Sequence, residues 1–525
     1  PHKVHYYEVD GVRRGKWKLV RVGKRRELYD LEQDLGEKRN LAKKHPKIVA
    51  ELDALLTAHA KRIAADTRPA AFVKNAKPIL RQPGDLPRLR ELVGKPDTKL
   101  ASEKPNILII FTDDQGYADL ACYGNTKNKT PRLDQLAAEG TKFTSFYSQT
   151  VCGPSRSALL TGRYPLRSKG WAMPASEITV AELAQEAGYE TACIGKWDVS
   201  NRKAVIERMP NAQGFEYYFG PLGANDDGIV KFHENNAPAG STKDMASLTR
   251  LFTDKSIDFL VNRRDADRPF LLYLSHTMMH TVIDASPKFK GRSEGGLYGD
   301  VVEEFDYETG RLLDTLDELG LTDDTLVIYT SDNGPWNQPK YTLWKMGIVL
   351  DKNTKRQPPE WFMPKHTIFW GEAGPLRNGK GSPYEGGYRA PCIVRWPGKV
   401  PAGRKSDAIF ASIDFLPTFA TLAGYSVPTD RVIDGSDQTA LLLGKRETGR
   451  ASFYFDRGGV RLGKWKYLKR DAFFHNYAVE DERPAVAELY DLEADLGETN
   501  NLAGKFPEKV AELAEWTRRF EADVP

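Results

Sequence analysis

The sequence predicts an α/β protein: an open, mostly parallel sheet with helices on both faces. Two observations predict it. Between residues 105 and 450, short apolar runs alternate with longer amphipathic stretches, the order that successive strand–helix units produce. The residues with chemistry to offer follow directly on the apolar runs, and ligands of such sheets bind beyond the carboxyl ends of the strands. The chain of 525 residues is long enough for a large core and more than one structural unit.

The elements follow in order. The apolar run 106–112 reads N-I-L-I-I-F-T, a buried strand that ends in Asp113 and Asp114. A helix at 132–139 comes next. Residues 151–163 read V-C-G-P-S-R-S-A-L-L-T-G-R and carry Cys152, Arg156 and a helix at 155–161. A helix at 180–187 precedes a strand at 191–195, which runs into G-K-W-D with Lys196 and Asp198. A helix at 247–262 leads to a strand at 270–275, followed by S-H-T-M-M-H-T with His276 and His280. A helix at 301–319 leads to a strand at 326–330 and then to S-D-N-G-P, with Asp332 and Asn333. The loop 376–387, L-R-N-G-K-G-S-P-Y-E-G-G, contains Lys380; a strand at 391–395 and a helix at 414–423 close the pattern.

Several function classes are excluded by composition. The 76 basic and 72 acidic residues balance too evenly to suggest nucleic-acid or membrane-surface binding. No apolar run approaches the roughly 20 residues needed to span a bilayer. The four cysteines show no C-x-x-C spacing, so no disulfide framework or zinc knuckle is indicated. His276 and His280 are four apart but lack the H-E-x-x-H context of a zinc site. The Lys380 loop is not G-x-x-x-x-G-K-[ST], so it is no phosphate loop.

The acidic pairs are more telling. Adjacent carboxylates at a strand end repel each other unless a cation holds them. One such aspartate alone reads as a helix-capping turn, and D-N-G alone is a common turn. Asp332 and Asn333 repeat the design at the end of a second apolar run, and all-oxygen donors of this kind suit a hard cation, calcium or magnesium.

Read together, these motifs resemble the type I sulfatases. C-G-P-S-R resembles the signature whose cysteine is oxidised to Cα-formylglycine by a formylglycine-generating enzyme; taken alone, Cys152 also suits a buried structural thiol. The resemblance implies an alkaline-phosphatase-like fold, a large mixed, mostly parallel sheet flanked by helices. It implies that Cys152 supplies the nucleophile as an aldehyde hydrate, whose second hydroxyl allows sulfate to be expelled. It also implies calcium held by Asp113, Asp114, Asp332, Asn333 and residue 152. Arg156 would pin the hydrate and the metal carboxylates. Lys196 and Lys380 would bind sulfate oxygens, Lys380 also near the leaving oxygen. His280 would protonate or hydrogen-bond the leaving group, and His276 would line the pocket or serve structurally. The family pattern continues G-K-W-H, whereas this chain has Asp198. That aspartate either takes over as the base, its pKa raised by burial or by the metal-site carboxylates, or pairs with Lys196 or Arg202.

The ends repeat one another. G-V-R-R-G-K-W-K at 11–18 matches G-V-R-L-G-K-W-K at 459–466, and E-L-Y-D-L-E-Q-D-L-G-E-K-R-N-L-A at 27–42 matches E-L-Y-D-L-E-A-D-L-G-E-T-N-N-L-A at 488–503. The expected organisation is an N-terminal copy of the C-terminal α+β module at 1–66, a linker at 67–104 with a short helical run at 86–93, a catalytic domain at 105–450 and the C-terminal subdomain at 451–525. The chain opens at Pro1, in mid-pattern and without a signal segment, which reads as a processed or truncated product. The N-terminal copy then needs a partner: its own catalytic domain, an upstream sulfatase domain or a second chain. By the resemblance, the protein works in the periplasm or outside the cell.

The expected activity is hydrolysis of a carbohydrate or aryl O-sulfate to alcohol and inorganic sulfate. The alternatives are a phosphonate or phosphodiester hydrolase of the same superfamily, and an inactive binding protein with the same fold. The insertion at 336–371, with Trp336, Trp344, Trp361, Trp370 and several basic residues, suits either a sulfated sugar or a core.

Overall fold

The computed structural model describes residues 5–7, 11–22, 25–34, 36–66, 104–226, 228–336, 371–473 and 484–524. The predicted run 86–93 and Trp344, Trp361 and Trp370 lie outside them. The chain divides into two units, 1–79 and 80–525.

In the first unit, β1 (His5–Tyr7), β2 (Gly11–Arg14), β3 (Trp17–Val22) and β4 (Arg25–Asp30) form an antiparallel sheet in sequence order. The helix Pro46–Asp66 packs on it, and Val12, Leu19, Leu28, Leu52 and Leu56 make the core.

The second unit is built on a ten-stranded sheet. Its strands are β5 (Asn106–Thr112), β6 (Thr141–Phe143), β8 (Glu190–Gly195), β9 (Tyr217–Pro221), β10 (Val230–Glu234), β11 (Ala237–Thr242), β12 (Phe270–Ser275), β13 (Thr325–Ser331), β14 (Cys392–Arg395) and β15 (Arg404–Ser406). A small parallel pair, β7 (Phe146–Tyr147) with β16 (Phe410–Ala411), lies apart. The order across the sheet is β11-β10-β9-β8-β12-β5-β13-β14-β6-β15. The five central strands, β9 to β13 in that order, run parallel; β10, β11 and β14 pair antiparallel.

Every residue of β5 is buried, because both faces are covered. Ile107, Ile109 and Phe111 point into one core with the helices Cys152–Thr161, Val180–Glu186 and Phe415–Ala423. Leu108 and Ile110 point into the other, with Pro131–Glu139, Leu248–Asp258 and Gly296–Glu318. Parallel register aligns the strand ends: Ser331 lies opposite Thr112, and Ser275 lies opposite both Phe111 and Gly195. Whatever follows β5, β8, β12 and β13 therefore meets at one edge.

The chain closes with an antiparallel sheet of β17 (Ser452–Phe455), β18 (Gly459–Leu462), β19 (Trp465–Leu468) and β20 (Glu488–Asp491), and a helix, Pro507–Ala522. Val460, Tyr467, Leu489 and Leu513 form its core.

Candidate active site

Asp113 and Asp114 leave the end of β5, and Asp332 and Asn333 leave the end of β13 beside it. All four side chains are buried. Asp114 takes the left-handed conformation at φ 60°, which turns it off the strand axis. Asp332 Oδ1 accepts from the Asp114 amide at 3.1 Å, and Asn333 Nδ2 donates to Asp114 Oδ1 at 2.8 Å. Cys152 opens the helix Cys152–Thr161 with 3% exposure, and its Sγ lies 3.3 Å from Asp113 Oδ1. Beside it, Gly153 lets the Trp171 ring pack close, since a Cβ there would meet that ring at 2.1 Å.

Three cations close around the acids. Arg156, one turn along the helix, donates Nη2 to Asp332 Oδ2 at 2.9 Å and lies 3.3 Å from Asp113 Oδ2. Its Nη1 donates to Ser275 Oγ. Lys196 follows β8 and reaches Asp113 Oδ2 at 2.6 Å. The preceding Gly195 has φ 111° and sits so close to β12 that a Cβ would lie 1.9 Å from the Ser275 carbonyl oxygen. Lys380 Nζ lies 2.6 Å from Asp114 Oδ1 and 3.3 Å from Cys152 Sγ.

His280 lies past the end of β12. Its Nδ1 is 2.5 Å from the Thr281 carbonyl oxygen, which can only accept, so Nδ1 carries the proton. Nε2 then faces Asp114 Oδ2 and Asp226 Oδ1, 3.7 Å from each. Trp336 packs at 5.2 Å from the His280 ring, and the Lys380 ammonium stands 4.8 Å over the indole.

Burial opposes ionisation of Asp113, but Lys196, His280, Arg156 and Lys380 hold its carboxyl well below the usual range. Asp332 goes the other way: burial and the neighbouring Asp113 push it up to about 7. Burial and Asp113 also push the Cys152 thiol well up, so it is not a thiolate nucleophile as it stands. Burial lowers His280.

For His276 and Asp198 the sequence left two readings open, and the surroundings favour the packing or pairing one in each. His276 is not on a pocket wall. Its ring packs edge-on against Phe252 at 5.2 Å and Phe305 at 4.8 Å, deep in the core, and burial drives its pKa down to about 3. The Asp198 carboxyl is lowered, not raised: burial opposes its charge, but Lys196, Arg202 and Arg156 outweigh it. Both partners named for Asp198 are present, Lys196 at 3.4 Å and Arg202 at 2.9 Å, and the Trp171 indole donates at 3.2 Å. Trp171 and Asp226 carried no signal in the sequence, since each reaches the site only through the tertiary fold.

The residues fit a hard cation. Asp113, Asp114, Asp332 and Cys152 offer ligand atoms that all lie within 4.8 Å of one another. Asp114 Oδ2 and Asn333 Oδ1 are buried oxygens with no hydrogen-bond partner, which a metal would satisfy.

This combination, acidic strand ends and a helix-borne residue 152 beneath buried cations on a mostly parallel sheet, defines a hydrolase of charged esters. The family model described as Sulfatase matches residues 105–425, and the one described as N-sulphoglucosamine sulphohydrolase, C-terminal, matches 379–519. An N-acetylgalactosamine-6-O-sulfatase of Bacteroides thetaiotaomicron is 34% identical over 493 residues, covering 79% of this chain and 92% of that protein. The dog N-acetylgalactosamine-6-sulfatase is 34% identical over 405 residues (70% and 72%), and the mouse steryl-sulfatase 35% over 445 (68% and 68%). Among solved structures, a Bacteroides thetaiotaomicron protein of glycosaminoglycan metabolism superposes with a TM-score of 0.69 at 31% identity, covering 80% of this chain and 100% of that one. The chain belongs to the sulfatase family and is a sulfuric ester hydrolase, of a family that uses a metal ion. A phosphonate monoester hydrolase of Agrobacterium radiobacter, at 18% identity and a TM-score of 0.53, shares the fold. Among the described residues no helix is long and apolar enough to cross a membrane.

Proposed function

We propose that the protein desulfates a carbohydrate O-sulfate, with the nucleophile at residue 152 as Cα-formylglycine and calcium held by Asp113, Asp114, Asp332 and Asn333. The observation that carries this is the convergence at Cys152: its Sγ lies 3.3 Å from a candidate metal carboxylate and 3.3 Å from a buried lysine. Calcium would supply a fixed positive charge to draw a sulfate oxygen, and the aldehyde hydrate would supply an oxygen nucleophile.

The chain's own residues do the rest. Arg156 bridges Asp113 and Asp332 and so fixes the spacing of β5 and β13 at the site. Lys196 and Lys380 stand ready to hold sulfate oxygens, and the charge that grows on them in transfer is best met by such preorganised donors. His280 Nε2 is turned toward the site and meets the leaving oxygen, giving it a proton when the ring is doubly protonated. Asp198, gripped by Lys196, Arg202 and Trp171, orients Lys196 and is not the base. Trp336 packs beside Lys380 and His280, and an aromatic residue at the site is in keeping with a sugar substrate. The relatives named for galactosamine sulfates support a sugar substrate.

Residues 1–66 are proposed to be a duplicate of 451–525. The motif repeats support this, as does the matched placement of Val12, Leu28 and Leu52 against Val460, Leu489 and Leu513 in the two cores.

The test is turnover of paired aryl sulfates and aryl phosphates, followed by a panel of defined sulfated sugars, with mass spectrometry of the Cys152 peptide. Sulfate preference with an aldehyde at residue 152 is expected. Phosphate preference would give the phosphonate or phosphodiester reading, and full activity with only free thiol would end the formylglycine assignment.

A further inference from the structure

We propose that the C-terminal subdomain sets the position of Lys380, with Lys466 and Glu498 as positioning residues for the reaction. This rests on the reading of Lys380 as a sulfate-binding cation.

Lys380 sits at the tip of a loop whose two feet are held by the same structure. At one foot, Arg377 Nη1 donates to the Glu498 carbonyl at 3.0 Å and to the Tyr490 hydroxyl at 3.2 Å, and its guanidinium lies 3.7 Å over the Tyr384 ring. At the other, the Glu385 amide donates to Glu498 Oε2 at 2.7 Å, and Tyr384 Oη donates to Glu488 at 3.2 Å. The feet are tied together, since the Gly386 amide donates to the Arg377 carbonyl at 2.9 Å. A Cβ on Gly386 would sit 2.4 Å from that oxygen. The tip is docked by Lys380 N to Pro335 O and Gly381 N to Thr150 O, both 2.9 Å.

Under the feet lies a buried ionic cluster. Lys466 Nζ is 2.9 Å from Glu385 Oε1 and 2.7 Å from Glu498 Oε1, and all three side chains have 0% exposure. Glu385 also accepts from Tyr147 Oη at 2.6 Å and from Arg389 Nε. Buried ion pairs stabilise a fold little over packed apolar residues; where they are kept, the best-attested use is to fix register. Here the register fixed is that of the loop 376–388 against β19 and β20. The ammonium of Lys380 rides on a flexible stem, so only a fixed backbone delivers it to one place.

The loop also meets the end of β13, where the Gly334 amide donates to the Gly387 carbonyl at 3.1 Å, and a double-mutant cycle isolates the part of the effect that passes through Lys380. Glu498→Gln keeps an acceptor for the Glu385 amide and leaves Lys466 paired with Glu385. Expected is a fall in kcat on an aryl sulfate of roughly 10- to 100-fold, the scale of a reacting group misplaced by about 1 Å, with Tm close to that of the parent. In a Lys380→Ala background the same substitution should slow turnover no further, and Lys466→Arg should retain more activity than Lys466→Met. A folded Glu498→Gln enzyme with parental kcat, or losses that multiply in the double mutant, would overturn the inference. If Lys380→Ala itself leaves turnover unchanged, the reading of Lys380 fails instead. Should Glu498→Gln not fold, Arg377→Met loosens the first foot with the buried charges intact and takes the same cycle.

Discussion

Removing the Lys380 ammonium is the most direct trial of the proposed chemistry. In Lys380→Ala, a buried positive charge 3.3 Å from Cys152 Sγ disappears. Two unit charges about 4 Å apart interact by about 4 kcal/mol at the effective dielectric of about 20 that suits protein sites. The transferring sulfate spreads its charge over several oxygens, and Lys196 and Arg156 stay in place, so part of that value is the expected loss. About 3–4 kcal/mol is also the measured scale for removing one preorganised donor, a fall of roughly 10²–10³ in kcat. The assay is turnover on a series of aryl sulfates whose phenols differ in acidity. If Lys380 meets the leaving oxygen, the loss should grow as the leaving group becomes poorer. A loss below about threefold would refute the clamp. A large loss equal across the series would move Lys380 from the leaving oxygen to the non-bridging ones.

Three further outcomes are expected. Asp198→Asn should slow turnover by less than the roughly 10²-fold lower end for a lost general base. It should also cost stability: the lowered carboxyl stabilises the fold above its unfolded pKa near 3.9, and that contribution is lost as pH falls through the still lower folded value. Guanidinium unfolding at pH 7 should show a deficit of about 3 kcal/mol that shrinks in strong acid; equal stability at pH 7 would refute the pairing. Exhaustive chelation should abolish turnover and lower Tm, and calcium should restore both; at 100 times Kd the ion contributes about 2.7 kcal/mol, and full activity without metal would remove the assignment. A chain beginning near Ser102 should keep its sulfatase activity, and a folded but inactive truncation would show that the N-terminal unit enters the site.

The central strands were legible because continuous apolar runs bounded by motif residues have little choice but a doubly covered parallel strand. The runs 106–112 and 270–275 coincide with β5 and β12, and 326–330 falls within β13. The edge of the sheet was not legible. β11 is A-P-A-G-S-T, mostly exposed and with no apolar alternation to betray it, and β6 and β15 are three residues each. For His276 the sequence left pocket lining and a structural role open, although a signal for the second existed. Leu272 and Leu274 face the core that holds Phe252 and Phe305, and position 276 shares their parity. Asp198 was legible as a departure, but its partners Arg202 and Trp171 could not be ranked from sequence. Whether a buried carboxylate is raised or lowered depends on distances that only the folded backbone sets.

The burial of Cys152 also sets a clock. At 3% exposure and between Asp113 and Lys380, the thiol in the finished fold is closed to any enzyme that must touch it. The wall that closes it includes β13, which ends at Ser331, well over a hundred residues later in the chain. At the roughly 5–20 residues per second of synthesis, that leaves an interval of about 10–35 seconds in which residue 152 exists and its enclosure does not. On the proposed formylglycine reading, the chemistry that rebuilds this side chain belongs to that interval, and the rate of translation past β13 would then help to decide what fraction of molecules is matured.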